Sequence, residues 1–362
     1  MRRRSWLLVT IALLGAAAFL MSRGDAPRRE PQARVSFPRA LRPAEAQRLE
    51  ARRTLGERPA PEHVPAAEAP PGRMPPVLDP VLAALPAVPG KSAVVVEANA
   101  LRHSPIGELL LDCLLTGGDA RRLDEAREEL GIDPLEDVDR VAFGGNGVLL
   151  VSGNFASAKW DALGEDVRTE RYGDKARFFG RADHGGDALA VWGDELVLLA
   201  DDRRELEQTI DRLEGRLPPA PPAIDESSTY GEIYGVISAE QLANLIPAQE
   251  QGLRDRVREA AERVELHVDA TGDVGIVADV EGPQEALVRD LGKSLGAALS
   301  LARVKARAEG DDELVELLDL ARVRPQAGRF ALELALPLEL LQRHLGGGCR
   351  AGDEVRATEA PE

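Results

Sequence analysis

The sequence predicts an α+β protein of two related halves, each an antiparallel sheet with helices packed on one face, in the manner of a ferredoxin-like split β-α-β unit. Three observations predict it. Short β-branched or alternating runs read as strands, amphipathic stretches between them read as helices, and glycine-bearing turns join several strand candidates into hairpins. After a Pro-rich break at Leu217–Asp225 (LPPAPPAID), a comparable order of elements begins again.

The first half, residues 91–216, opens with Ser92–Glu97 (SAVVVE), a buried strand. Ser104-Pro105 supplies an N-cap followed by Pro at the first helical position, so a helix runs to about Leu115. A second helix, Asp119–Leu130, ends at Gly131, where a left-handed residue is favoured. Asp139–Phe143 and Val148–Ser152 flank Gly144-Gly145-Asn146-Gly147 as a hairpin, and Leu189–Trp192 with Leu196–Ala200 form another around Gly193-Asp194. Between the hairpins lie a helix, Ala156–Leu163, and an extended segment, Glu170–Gly180. Asp202 with Glu205 resembles a capping box ahead of a helix ending near Leu213.

The second half, residues 226–345, repeats the theme. Glu232–Ile237 is a strand, Ala239–Ile246 and Leu253–Glu262 are helices, and Val264–Asp269 with Val274–Val280 is a hairpin around Thr271-Gly272-Asp273. Helices at Pro283–Ala308 and Asp311–Ala321 precede a strand, Gly328–Leu336, and a terminal helix, Pro337–Leu345; residues 346–362 form a disordered tail. The expected buried positions are Val94, Val96, Val141, Leu149 and Val151 in the first half, and Ile233, Val236, Leu266, Val268, Ile276 and Phe330 in the second.

Ahead of the body, Arg2-Arg3-Arg4 and the uninterrupted apolar run Trp6–Met21 form a signal-anchor or signal peptide over residues 1–21. Ala16 and Ala18 fit a cleavage motif, but Phe19-Leu20-Met21 still follow. Retention as a single-pass inner-membrane anchor, with the N-terminus cytoplasmic and the bulk of the chain outside the cytoplasm, is therefore the favoured reading; the alternative is a secreted or periplasmic protein after cleavage. Residues 22–90 are rich in Pro, Ala and Arg and read as a disordered linker. Within it a short helix is allowed at Pro43–Leu55, and Val77–Leu85 is apolar enough to dock on the body.

Charge divides the chain. Through Pro75 there are 14 Lys/Arg against 7 Asp/Glu; beyond it there are 31 against 55, so a net +7 is followed by a net −24. Nucleic-acid binding requires clustered Lys and Arg to neutralise phosphate, so an acidic body argues against it.

Motifs for chemistry fail on context. Gly90-Lys91-Ser92 and Gly292-Lys293-Ser294 end like phosphate loops, but Leu85 and Leu287 stand where the first glycine belongs. No helix opens behind Gly144, Gly145 and Gly147. There is no G-x-S-x-G, and His63, His103, His184, His267 and His344 stand apart in sequence. Asp183-His184 with Asp187, and Asp201-Asp202, offer metal-ligating atoms but sit where turns and N-caps need small polar residues. No catalytic, cofactor or metal residue is assigned. Cys113 and Cys349 are the two cysteines, and the tail position of Cys349 argues against a bridge. Gly292 and Gly296 put a small-residue face on the long helix, read as close packing against the sheet.

Gly131-Ile132-Asp133-Pro134-Leu135, with Asp137-Val138-Asp139-Arg140-Val141 and the following hairpin, resembles a pattern in uncharacterised secreted or membrane-anchored proteins of large-genome bacteria. The resemblance covers mainly Ser92–Leu213 and implies an extracytoplasmic α+β domain, with no catalytic residue to carry over. The expected function is a membrane-tethered, non-catalytic interaction or structural module of the cell envelope, partnered by the inner membrane through Trp6–Met21 and by another envelope protein. The alternative is a small-molecule or lipid-binding module with an apolar cleft.

A reporter fused after Glu362 is expected to be active only in a form that requires export. Activity of a strictly cytoplasmic reporter there would overturn the localisation.

Overall fold

The computed structural model describes residues 37–55, 79–116, 120–163, 167–181, 188–246 and 250–343. Trp6–Met21, the cysteine at 349 and the tail 346–362 lie outside these residues. So do His63, His184, His344 and the Asp183–Asp187 group. Among the described residues no helix is long and apolar enough to cross a membrane.

The strands form one twelve-stranded sheet in the order β11-β12-β10-β9-β8-β1-β2-β3-β7-β6-β5-β4, with every neighbouring pair antiparallel. β1 (Ala93–Val96), β2 (Val138–Phe143), β3 (Leu149–Gly153), β4 (Val167–Tyr172), β5 (Ala176–Arg181), β6 (Ala188–Trp192) and β7 (Leu196–Ala200) build one side. β8 (Ile233–Ser238), β9 (Arg263–Asp269), β10 (Val274–Glu281), β11 (Ala321–Gln326) and β12 (Arg329–Leu336) build the other. The two runs of elements meet where β1 pairs with β8, Val95 opposite Tyr234. Pairing along the full length of β1 makes the sheet continuous across this seam.

The helices are α1 (Pro43–Leu55), α2 (Pro80–Ala83), α3 (Ala98–Arg102), α4 (Pro105–Thr116), α5 (Ala120–Glu125), α6 (Arg203–Leu213), α7 (Ala239–Leu245), α8 (Gln251–Ala260), α9 (Glu285–Glu309), α10 (Asp312–Leu320) and α11 (residues 338–343). A π-helical turn, Ala126–Leu130, extends α5 and stops at Gly131, whose φ of 67° is the left-handed cap the sequence anticipates. Ser104 caps α4, accepting the Gly107 N–H at 3.1 Å, and Asp202 caps α6, accepting the Arg204 N–H at 2.9 Å.

The helices lie on both faces of the sheet, not on one. α2 and α6 cover Val95, Ala142, Leu150, Leu198, Ala190 and Phe178, which the strand registers align across one face. On the opposite face, α4 and α11 cover Val94, Val96, Ile233 and Val268, α7 to α9 cover Val264, Val280 and Phe330, and Phe155 and Trp160 close over Val191 and Phe179. The expected first-half core is thereby corrected. Val94, Val96, Val141, Leu149 and Val151 are only half-buried, whereas Val95, Ala142 and Leu150 are at most 1% exposed. Both faces of these strands are apolar, so alternation alone could not say which is drier. In the second half Ile233, Val268 and Phe330 are buried as expected, and Val236, Leu266 and Ile276 are half-buried.

Other departures are local. The extended segment at Glu170–Gly180 is the β4–β5 hairpin, turned at Gly173 with φ of 65°. The helix expected over Ala156–Leu163 is one 3-10 turn, Trp160–Leu163, and Ala321 begins β11 instead of ending a helix. β11 tolerates Pro325 because it is an edge strand. The expected linker also folds in part. α1 has the bounds read from its sequence and packs against the sheet, and α2 buries Val81 and Leu82. The Pro-rich break is tied to the chain after α2, the Ala87 N–H donating to the Pro221 carbonyl at 2.8 Å and the Ala223 N–H to that of Leu85 at 2.9 Å. Composition suggested disorder because it registers apolar burial, whereas α1 docks through charge.

Leu150→Ala is expected to cost about 2–5 kcal/mol of stability and Leu149→Ala clearly less, measured by chemical denaturation. Equal costs would place the drier core on the wrong face.

Candidate functional site

The site follows from strand register. Val96 lies opposite Ile233, so Glu97, just after β1, sits beside Glu232, just before β8; the Glu97 N–H donates to the Glu232 carbonyl at 2.8 Å. Ile233 lies opposite Val268, so Asp269 at the end of β9 joins them. Glu97, Glu232 and Asp269 thus converge at one end of the three central strands, each 5% exposed or less. Buried carboxylates demand partners.

Those partners come from α1 and the residue before it. Arg42 contacts Glu232 at 2.9 Å, Asp269 at 3.2 Å and Glu45 of the adjoining helix at 2.6 Å. Arg52 grips Glu97 with two bonds, 3.0 and 2.6 Å, and Arg48 stands 3.9 Å from the same carboxylate. The helical spacing of Glu45, Leu49 and Arg52 puts them on the face toward the sheet. Two backbone amides and one hydroxyl complete the cluster. The Gly231 N–H donates to Glu45 at 2.8 Å, the Ala270 N–H to Glu232 at 2.6 Å, and the Tyr234 hydroxyl to Glu97 at 2.9 Å. Burial opposes the charge on Arg42, yet its bonds to Glu45 and Glu232 hold its pKa above the ordinary value. Burial likewise opposes the charge on Glu45, and Arg42 and the Gly231 N–H hold its pKa below the usual range. Burial pushes the Tyr234 hydroxyl up.

Between α1 and the strand ends lies a polar cleft with enclosed room for about one water molecule, lined by Glu45, Arg48, Arg52, Glu97 and Thr229 among others. That is far below the roughly 300–1,000 Å³ of small-molecule sites and lacks their apolar lining. Beside it the Tyr230 ring stacks on His267 with centroids 3.8 Å apart, and His267 Nδ1 lies 3.2 Å from the Tyr230 carbonyl. A carbonyl only accepts, so Nδ1 carries the proton; Nε2 is buried with no partner. Burial lowers the His267 pKa and pushes that of the Tyr230 hydroxyl up to about 12.

The motifs noted in the sequence do not assemble here. Gly90 turns the chain into β1 at φ of 68°, and Ser92 Oγ accepts the Ser238 N–H at 2.8 Å. Gly292 faces Phe330, whose ring would meet an added Cβ at 3.0 Å, so the small-residue face of α9 serves close packing. His103 is exposed and bonds the Asn99 carbonyl, and Asp201 and Asp202 stand at the start of α6. Cys113 lies in α4. Among the described residues no group of three or more His, Cys, Asp and Glu could hold a metal ion. The cluster itself escaped sequence reading because Glu97, Glu232 and Asp269 are distant in the chain. One signal was available: three arginines placed on a short helix ahead of a strongly acidic body.

No family model matches the sequence, and no curated protein matches it. Among solved structures, that of TP0453 in its crystal form I is similar with a TM-score of 0.39 and 9% identity, over 74% of this chain and 96% of that one. A likeness of that size carries no argument about function.

Glu97→Ala strands the Arg52 guanidinium and the Tyr234 hydroxyl. The expected cost to α1 docking is about 3 kcal/mol, at the low end for breaking a buried ion pair, so cleavage by trypsin after Arg52 or Arg53 should rise by roughly two orders of magnitude. An unchanged rate would show that the cluster does not hold α1.

Proposed function

We propose that the chain is a membrane-tethered, extracytoplasmic, non-catalytic interaction module of the cell envelope. The observation that carries this reading is the docking of α1. The segment between the basic, apolar N-terminus and the body ends in a clamp at the middle of the sheet. Fastening the chain at that point sets where it leaves the body toward the anchor, which suits a module that presents a surface elsewhere. The outward side of α9 suits the role of that surface: Leu301 is 70% and Val304 62% exposed, with Ala297 and Ala308 exposed on the same stripe.

We read the body as two related halves of one sheet. The orders β1-β2-β3-β7-β6 and β8-β9-β10-β12-β11 run outward from the central pair with the same connectivity. In each, a hairpin closes back onto the third strand, so β3 and β6, like β10 and β11, run parallel with one antiparallel strand between them, as a split β-α-β unit requires. The first half carries β4 and β5 where the second carries α9 and α10.

Three measurements test the proposal. The full-length protein should stay with the membrane pellet after alkaline carbonate extraction, and a C-terminal tag should be accessible to protease only from the extracytoplasmic side. A photo-crosslinking residue at position 301 should then give a discrete protein adduct in intact envelopes. Complete extraction by carbonate would end the tethering claim, and absence of any adduct the claim for α9.

A further inference from the structure

We propose that His267 is a proton-operated lock on the docked N-terminal strap, residues 37–55, so that mild acid releases α1 from the sheet. The inference rests on α1 docking alone and is independent of membrane tethering.

The bend Tyr230–Glu232 is held from two sides. Toward the sheet, its Tyr230 ring and carbonyl are engaged by His267, and its Glu232 N–H donates to the Val268 carbonyl at 2.7 Å. Toward the strap, the Gly231 N–H holds Glu45 and the Glu232 carboxylate holds Arg42. Anything that displaces Tyr230 from His267 therefore moves two of the contacts that receive the start of α1. Arg42 on Asp269, Arg52 on Glu97 and Arg39 on Glu333 are the further holds of the strap, all of them polar. Leu49 is the buried apolar side chain among the described side chains of α1, and a helix of 13 residues is marginal by itself in water, so α1 depends on its polar contacts with the sheet.

His267 is 1% exposed and neutral, with its one proton on Nδ1. Adding a proton places an N–H on Nε2, where no acceptor stands, and puts a charge in a buried position. The groups facing it are Tyr230 in the bend, Tyr234 on β8, Glu265 and Asp269 on its own strand, Asp279 on β10 and Glu45 on α1. Arg39 of the strap and Arg329 of β12 act on Tyr230 and Asp279. The carboxylates favour imidazolium, but burial outweighs them and the pKa lies below its ordinary 6.5. A base with a depressed pKa binds fewer protons in the closed state than in the open one. Closure is therefore favoured at neutral pH and is lost as pH falls below about 6.5. The ordinary value of Glu45, 4.5, lies below that of the histidine, 6.5, so as pH falls the contribution of the histidine to closure starts to weaken first.

The test is hydrogen–deuterium exchange of the full-length protein at pH 7.5 and 5.5, corrected for the intrinsic pH dependence of exchange. Amides of α1 should open more readily at pH 5.5 by up to about tenfold, the ratio set by one pH unit below an ordinary imidazole pKa, while α6 stays unchanged. His267→Phe cannot titrate, and His267→Gln cannot titrate but keeps a donor for the Tyr230 carbonyl; in both the pH response of α1 should vanish. Asp279→Asn, which removes the nearby carboxyl that burial pushes up, should retain it. A change below twofold in the natural protein overturns the proposal, as does a response that survives in His267→Gln or disappears in Asp279→Asn.

Discussion

The pairing of β1 with β8 is the constraint on which the rest of the structure depends. It joins the two runs of elements into a continuous ladder and, through the register Val96 opposite Ile233, sets Glu97 beside Glu232. One further register, Ile233 opposite Val268, adds Asp269. Hydrogen bonding within the sheet thus forces three carboxylates together, and α1 supplies the arginines they require. A slip of one residue in either ladder would turn the side chains of that strand to the other face and dissolve the cluster.

The polarity of one face changes across the same seam. A single transverse row runs Phe178, Ala190, Leu198, Leu150, Ala142, Val95, Tyr234, His267, Val277, Glu333 and Arg322. It is apolar as far as β1, where α2 and α6 cover it, and mostly polar from β8 outward. Over that polar part passes the strap, with Arg42 at the end of β9 and Arg39 paired with Glu333 on β12. The first half therefore holds its cover by burying apolar area, and the second half engages the strap by ion pairs. The two kinds of contact respond differently to conditions. Apolar packing is insensitive to pH, whereas a strap held by carboxylates and braced by a neutral histidine is not.

A second buried pair shows how the first core tolerates charge. Arg140 on β2 donates to Asp79 at 2.6 Å and to Ser152 at 3.2 Å, while Asp79 also accepts the Val81 N–H at the start of α2. The arrangement anchors α2 to the sheet, as Arg42 and Arg52 anchor α1. In both places a short segment preceding the body is fastened by an arginine–carboxylate contact that composition does not register.

Residue order alone determined the α+β character, most strand and helix positions, the caps at Ser104, Gly131 and Asp202, the bounds of α1 and the turns of the β2–β3 and β9–β10 hairpins. These are local properties, set by backbone preference, side-chain period and turn chemistry within a few residues. Tertiary structure decided which face of β1, β2 and β3 is drier, because both faces are apolar and only the placement of α2 and α6 distinguishes them. It decided that β11 is an edge strand, that residues 37–55 lie on the sheet, and that Glu97, Glu232, Asp269 and His267 share one neighbourhood. Those outcomes rest on contacts between residues tens to hundreds of positions apart, and no local pattern in the chain encodes the register that brings them together.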